Sequence, residues 1–473
     1  MEPAKFLING EWRSSNLRRQ VFNPYKSAAV GEVFQATAHD IDDAISAAVA
    51  AFQLTRNLSA YDRATVLMEI SRAIEERQEE FSRLITEETG KPITFSRAEV
   101  QRSVFTFLTA SEEAKRREGV VLPLDVVPDS HHRTAIVRRF PVGVVGAITP
   151  FNFPLNLVAH KLGPAIAAGN TVVLKPSSNA PRTSLLLGEV IEKTGLPKGA
   201  VNIIPCMGSE AEQLITDKRV KFISFTGSPA VGWGLRVRAG RKRVSLELGG
   251  NAGVIVAADA NLDYALKRIV QGAFGNAGQS CISVQRIYVQ ETVFDVFVDQ
   301  LVKMARSIAV GDPENERTVV GPMIDEHAAR MIESWIVEAV GAGAQLLCGG
   351  GRARAVLQPT VLANVDPSQK VSCQEVFAPV VTVDRYKEFK DALALVNESP
   401  FGLQAGIFTN NASDIFTAYR ELEVGGVIVN DASSYRMDHM PYGGVKDSGL
   451  GREGIRYAIE EMTELKLLGL NFA

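Results

Sequence analysis

VGVVGAITP (142–150), NTVVLKP (170–176), AVNIIP (200–205), KFISFTG (221–227) and VSLELGG (244–250) are short runs rich in β-branched residues. Helical spacing fills the gaps between them, at about Leu155 to Ala168 and Pro181 to Thr194. Strands that alternate with helices indicate a parallel sheet with crossover helices, since parallel neighbours cannot be joined by a tight turn. The chain is therefore expected to be α/β, with an open, doubly wound nucleotide-binding sheet whose ligand lies beyond the carboxyl ends of the strands.

Upstream of this sheet, Asn9-Gly10 between KFLI and EWRSS has the chemistry of a two-residue hairpin loop. Amphipathic helices are expected over Asp40 to Phe52, over a longer run from Tyr61 to Thr89, and from about Phe95 to Glu118. Downstream, a second α/β region spans about Asn251 to Gly449 and includes the strands QRIYVQ and APVVTVDRY. Gly119 to Arg139 and the last residues are strand-like and fit neither core, which suggests an arm that pairs with another subunit. The 473 residues exceed what one core usually holds. The expected division is a cofactor-binding domain (1–118 and 140–249), a catalytic domain (250–449) and an oligomerisation arm (119–139 and 463–473).

Lys and Arg number 51 against 54 Asp and Glu, a net charge of -3, which provides no field to hold nucleic acid or anionic lipid. The basic cluster Arg236, Arg238, Arg241, Lys242 and Arg243 reads as a solvated helix end. No apolar leader opens the chain, and no run approaches the roughly 18 apolar residues of a membrane span. A cytoplasmic or equivalent compartment is expected. Cys206, Cys281, Cys348 and Cys373 form no CxxC pair, which favours free thiols. His131 and His132 stand alone without HExxH, so no metal site is expected.

The G-x-G-x-x-G at Gly449, Gly451 and Gly454 follows no strand and precedes no acidic partner, and is set aside as a dinucleotide fingerprint. Gly227 to Gly232 has P-loop spacing, but Trp233 replaces the lysine. What remains is GNAGQSCIS (275–283), where small residues allow close approach to Cys281. LELGG places Glu247 at one strand end and TPFNFP places Asn152 at another. Asn152, Lys175-Pro176, FTGS (225–228), ELGG, GQSC, EVFAPV from Glu375 and PYGG from Pro441 follow the order and spacing of the aldehyde dehydrogenase superfamily, which the chain resembles over nearly its whole length.

The residue types suit that chemistry. A thiolate is the best nucleophile near neutral pH, so Cys281 would turn an aldehyde into a thiohemiacetal. The Asn152 amide and the Cys281 backbone N–H would form the oxyanion hole. Glu247, a carboxylate whose pKa burial raises toward operating pH, would activate the water that hydrolyses the thioester.

For the cofactor, the resemblance implies that Lys175 reaches the adenosine ribose and that helix amides after Gly227 and Ser228 face the pyrophosphate. It implies further that Glu375 holds the nicotinamide ribose and Phe377 packs near the ring, with Thr149, Pro150, Phe151, Gly208, Phe225, Gly232 and Leu248 completing the site. Many relatives carry Glu three residues after the lysine; here Ser178 leaves room for a 2′-phosphate. NADP or NAD is expected, with NADP favoured.

KPSS (175–178) and YRMDHMPYGGVKDSGLGREG (435–454) resemble the lactaldehyde and phosphonoacetaldehyde dehydrogenase branch, which acts on short hydroxylated or anionic aldehydes. Arg102 and Arg436 then become candidates for gripping an anionic group, against the plainer reading of surface salt-bridge partners. Phe153, Ser280, Ile282, Tyr435 and His439 are expected around the substrate. A CoA-acylating relative would lack Glu247, and a non-catalytic protein on this fold would have no reason to keep Cys281, Asn152 and Glu247 together. A homodimer or homotetramer is expected.

Overall fold

The quoted runs form neighbouring parallel strands. In the computed structural model, which describes residues 2–116 and 118–472, the order across the sheet is Val201–Ile203, Thr171–Lys175, Val144–Ile148, Val220–Thr226, Arg243–Glu247. Met1, Arg117 and Ala473, which fall in the expected spans 1–118 and 463–473, lie outside the described residues. Strand order reverses between Val144–Ile148 and Val220–Thr226, and such a reversal opens a crevice beyond the strand ends. The hairpin Phe6–Ile8 and Glu11–Arg13 extends one edge, turned by Asn9 and Gly10 at φ 54° and 71°.

The other edge is closed by Gly449–Leu450, antiparallel to Arg243–Glu247, with Gly449 opposite Glu247. The glycine-rich stretch at 449–454 thus covers a sheet edge. From there the chain returns to the first core, where Ile455, Ile459 and Met462 are buried.

Local sequence explains most of the helices. Ala38–Thr55 and Ala60–Glu76 each begin in a capping box, Thr37 with Asp40 and Ser59 with Asp62. The single run expected from Tyr61 to Thr89 is instead two helices, the second being Gln78–Thr89. They part at Arg77, whose guanidinium is held by Glu80 and by Glu189 of another helix. The tertiary partner at this break, Glu189, is not announced by local spacing. Ile93–Lys115 follows.

Asn156–Ala168 is buried along its whole length and so reads as apolar all round. Its first amides are satisfied from a neighbouring helix: Glu99 Oε1 accepts from Leu155 N (2.9 Å) and Asn156 N (3.2 Å).

The second α/β region forms a sheet ordered Gln345–Cys348, Thr360–Ala363, Val380–Tyr386, Val284–Gln290, Ala252–Val256, Gln404–Phe408, Gly426–Val429. It is parallel except at the first pair. Thr463–Asn471, Arg133–Pro141 and Val120–Pro123 make a separate antiparallel sheet that exposes Leu465, Leu467 and Leu468. Among the described residues no helix is long and apolar enough to cross a membrane, and no group of three His, Cys, Asp or Glu is placed to hold a metal ion.

Candidate active site

Cys281 follows the helix Leu262–Phe274 and a turn in which Asn276, Ala277 and Gly278 are all left-handed, with φ of 53°, 55° and 67°. Non-glycine residues there cost about 1–3 kcal/mol each and persist only where surroundings enforce them. Gln279 does so: its Nε2 donates to the Asn276 and Pro322 carbonyls (both 3.3 Å) and its Oε1 accepts from Ile324 N (2.8 Å). Gly278 is fixed by close approach, since a Cβ there would lie 2.1 Å from the Ala378 carbonyl oxygen. A Cβ at Gly250 would lie 2.1 Å from the Cys281 carbonyl oxygen, so the strand end bearing Glu247 is pressed against the cysteine loop.

The cysteine opens into a cavity of about 580 Å³ at the carboxyl ends of the first sheet. Asn152, Glu247 and Cys281 all line it. So do Pro150, Phe151, Gly227, Ser228, Leu248, Glu375 and Phe377 on the side expected to take the cofactor, and Arg102, Phe153, Ser280, Ile282, Tyr435 and Arg436 on the substrate side.

Other candidates stand apart from this wall. Thr149 N donates to the Lys175 carbonyl (3.3 Å), and Lys175 Nζ lies 3.3 Å from Ser178 Oγ, farther along the same sheet edge. Phe225 lies beneath Gly227, and Gly232 packs on Leu248. Gly208 faces open space, so a side chain there would meet nothing within 4 Å. His439 turns away and packs edge-on against Phe105, with centroids 6.1 Å apart. A second cavity of about 630 Å³, bordered by Arg83, Arg97 and Arg182, contains none of these residues, and its arginines are paired with glutamates.

Charge is arranged around the sulfur. Cys281 Sγ is 2.9 Å from the Tyr442 hydroxyl. Burial pushes the thiol up to about 12, opposed in part by that hydrogen bond. Both Glu247 carboxylate oxygens are buried without a hydrogen-bond partner, and burial, followed by the nearby charge of Glu453, raises its pKa well above the ordinary carboxylate value. Glu453 is buried too, yet Lys161 and Arg436 outweigh that burial and hold it low. Asn152 Nδ2 donates to the Gln279 carbonyl (3.2 Å), while its Oδ1 has no partner. Glu375 Oε1 accepts from Gly250 N (3.0 Å), and burial lifts its pKa to about 7. Phe377, at φ 52°, meets Phe151 edge-on with centroids 6.0 Å apart. Among the other cysteines, Cys206 is pushed up to about 11 by burial and Cys348 is raised by the same cause. Cys373 lies in a short helix, with its Sγ 3.4 Å from the Ser368 carbonyl.

The two arginines differ. Arg102 forks onto Asp438, with Nε–Oδ2 3.1 Å and Nη2–Oδ1 2.7 Å, and borders the cavity with its side chain one-third exposed. Arg436 is no surface partner: only 7% of its side chain is exposed, and its Nη2 donates to Glu453 (3.1 Å) and lies 3.3 Å from His160 Nε2.

Sequence reasoning missed Asp438, Tyr442, Arg268 and the buried Lys91–Glu99 pair, of which all but Asp438 line the cavity. Asp438 and Tyr442 do lie within the 435–454 stretch, but spacing alone does not say which side chains turn inward.

Residues 12–468 match the aldehyde dehydrogenase family. The chain belongs to that family. It is 47% identical over 465 residues to the 3-sulfolactaldehyde dehydrogenase of Priestia aryabhattai, covering 98% of this chain and 97% of the relative. The crystal structure of aldehyde dehydrogenase 21 from Physcomitrella patens, in complex with the reaction product succinate, superposes with a TM-score of 0.98 at 42% identity, covering 100% of this chain and 99% of that one. Glyceraldehyde-3-phosphate dehydrogenase GapN from Methanocaldococcus jannaschii, complexed with NADP, gives a TM-score of 0.93 at 39% identity over 97% of this chain and 100% of that one. The α/β architecture described above is the aldehyde dehydrogenase fold.

Proposed function

We propose that the protein oxidises a small hydroxylated or anionic aldehyde to its carboxylic acid, using NADP or NAD, through a thioester on Cys281. The observation that carries this reading is one cavity uniting Cys281, Asn152 and Glu247 with an arginine, Arg102, at its border. The relatives' named substrates, sulfolactaldehyde and glyceraldehyde 3-phosphate, are anionic and hydroxylated, which agrees with that arginine.

A dinucleotide fits the residues present. Helix Pro229–Arg238 starts at Ser228, whose side chain caps no amide, so its first N–H groups are available to a pyrophosphate. Thr149 Oγ1 and Thr226 Oγ1 are buried without partners at the same strand ends. Lys175 and Ser178 would hold the adenosine ribose, Glu375 the second ribose, and Phe377 the nicotinamide. When bound, the nicotinamide supplies a hydride acceptor.

The chain's own groups do the rest. Cys281 attacks the carbonyl carbon, and the developing alkoxide is met by the free N–H of the Asn152 amide and by the Cys281 backbone N–H. Gln279 orients that amide through its carbonyl. Glu247, with a raised pKa and no competing hydrogen bond, takes a proton from the water that cleaves the thioester.

We read 1–118 and 140–249 as the cofactor domain, 250–449 as the catalytic domain, and the segments 119–139 and 463–473 as an arm that pairs copies into a dimer or tetramer. Its exposed Leu465, Leu467 and Leu468 support that role. Four free cysteines favour a reducing, cytoplasmic setting. Incubating the protein with NAD or NADP and a panel of charged and neutral short aldehydes, while following nicotinamide absorbance, tests the reading. Acid formation with cofactor reduction is expected, and none with any aldehyde contradicts it.

A further inference from the structure

Tyr442 has been given no part in the chemistry so far, yet its phenol is held against the reacting sulfur from several sides. Its backbone is pinned by a reciprocal pair, Tyr442 N to the Glu453 carbonyl (3.0 Å) and Glu453 N to the Tyr442 carbonyl (2.6 Å). The ring is 4% exposed and clusters with Ile282 and Leu403 beside Cys281. The Arg436 guanidinium lies over its face, 3.6 Å from the centroid, and is itself anchored by Glu453. The hydroxyl is left one partner, the Cys281 sulfur at 2.9 Å.

A neutral thiol and a phenol can each donate to the other, but a thiolate can only accept. Ionisation of Cys281 therefore fixes the bond as O–H···S⁻, and charge-assisted bonds are stronger than neutral ones. A cation over a ring face draws on its electron density, which makes the phenol a better donor. Burial works against a charged sulfur, and the Tyr442 hydroxyl is a neutral donor within hydrogen-bond distance to compensate it.

We propose that Tyr442 is a catalytic residue whose hydroxyl donates to the Cys281 sulfur, stabilising the thiolate and aiming it into the cavity. This rests on Cys281 being the nucleophile. On attack the sulfur lone pair forms the S–C bond, the carbonyl π pair moves to oxygen, and the phenol keeps its proton throughout. When the thioester is cleaved the S–C pair returns to sulfur, so the same donor favours the departing thiolate.

The test is alkylation by iodoacetamide as a function of pH, with the modified residue located by peptide mass, in the parent, in Tyr442→Phe, and with 3-fluorotyrosine installed at 442. Phe keeps the ring under Arg436 and removes the donor; fluorination keeps the shape and makes the phenol more acidic. Cys281 alkylation near neutral pH should slow about tenfold or more in Tyr442→Phe, the factor set by a hydrogen bond to a charged group. Its midpoint should rise in Phe and fall with fluorotyrosine, and the first turnover of cofactor reduction should follow the same order and recover at high pH. Should the Phe variant fail to fold, the fluorotyrosine shift decides alone. An unmoved Cys281 midpoint overturns the role of Tyr442 while leaving the nucleophile in place. If Cys281 is fully alkylated and turnover survives that treatment, the nucleophile itself is wrong and the proposal goes with it.

Discussion

Lys175 Nζ stands 3.3 Å from Ser178 Oγ at the carboxyl end of the strand Thr171–Lys175, a cation beside a hydroxyl with no carboxylate interposed. A ribose bearing a 2′-phosphate would meet attraction there, not repulsion. Burial lowers the pKa of Lys175, so a phosphate dianion would also help keep it protonated.

Ser178→Glu should accordingly raise the KM for NADP at least tenfold, about 1.4 kcal/mol, and change that for NAD much less. Steady-state kinetics with each cofactor checks this. Equal effects on both would show that position 178 does not read the 2′-phosphate.

Arg102 is set by Asp438, which also accepts from His160 Nε2 (2.9 Å) and Asn156 Nδ2 (3.0 Å). That leaves the arginine oriented but still open to the cavity. Arg102→Leu should reduce kcat/KM for short anionic aldehydes about tenfold more than for propanal, roughly 1.4 kcal/mol of selective binding. Identical losses on charged and neutral aldehydes would place the anion elsewhere.

Arg436→Leu should behave differently, because it leaves the buried Glu453 without one of its two cations. Removing one member of a buried pair costs about 3–5 kcal/mol. Urea unfolding should move to clearly lower denaturant in Arg436→Leu and much less in Arg102→Leu. Equal stability of the two variants would contradict this ion-pair assignment.

The acid limb of turnover follows from the Glu247 environment. Its pKa is raised by burial and then by Glu453, and a general base acts only when ionised. Turnover limited by thioester hydrolysis should thus fall as pH drops through a value well above the usual 4.5 of a glutamate. A kcat profile whose acid limb lies at an ordinary carboxylate pKa would remove the burial argument.

Much of this was legible in the sequence because the signals were local. The β-branched runs and the Asn9-Gly10 loop each carry their own physical reason. The break at Arg77 was not: the side chain that meets Arg77 there, Glu189, comes from a distant helix. Arg102 and Arg436 looked alike in one dimension; both border the cavity, and only their partners and exposure, Asp438 for the half-open one and Glu453 for the buried one, separate them. Tyr442 was visible as part of PYGG, but its aim at Cys281 arises from backbone pairing with Glu453, which spacing does not encode.

Rapid mixing of Glu247→Gln with aldehyde and cofactor tests the central claim most directly, because the first half-reaction needs Cys281 and Asn152 whereas the second also needs a base. Glutamine keeps the shape and cannot accept a proton. One cofactor reduced per active site, followed by a stall with Cys281 acylated by intact-protein mass, is expected, with steady turnover slowed roughly 10²–10⁴-fold. Should Glu247 also deprotonate Cys281, the burst slows and recovers as pH rises toward the thiol's own pKa. Undiminished steady turnover in this variant would contradict the account.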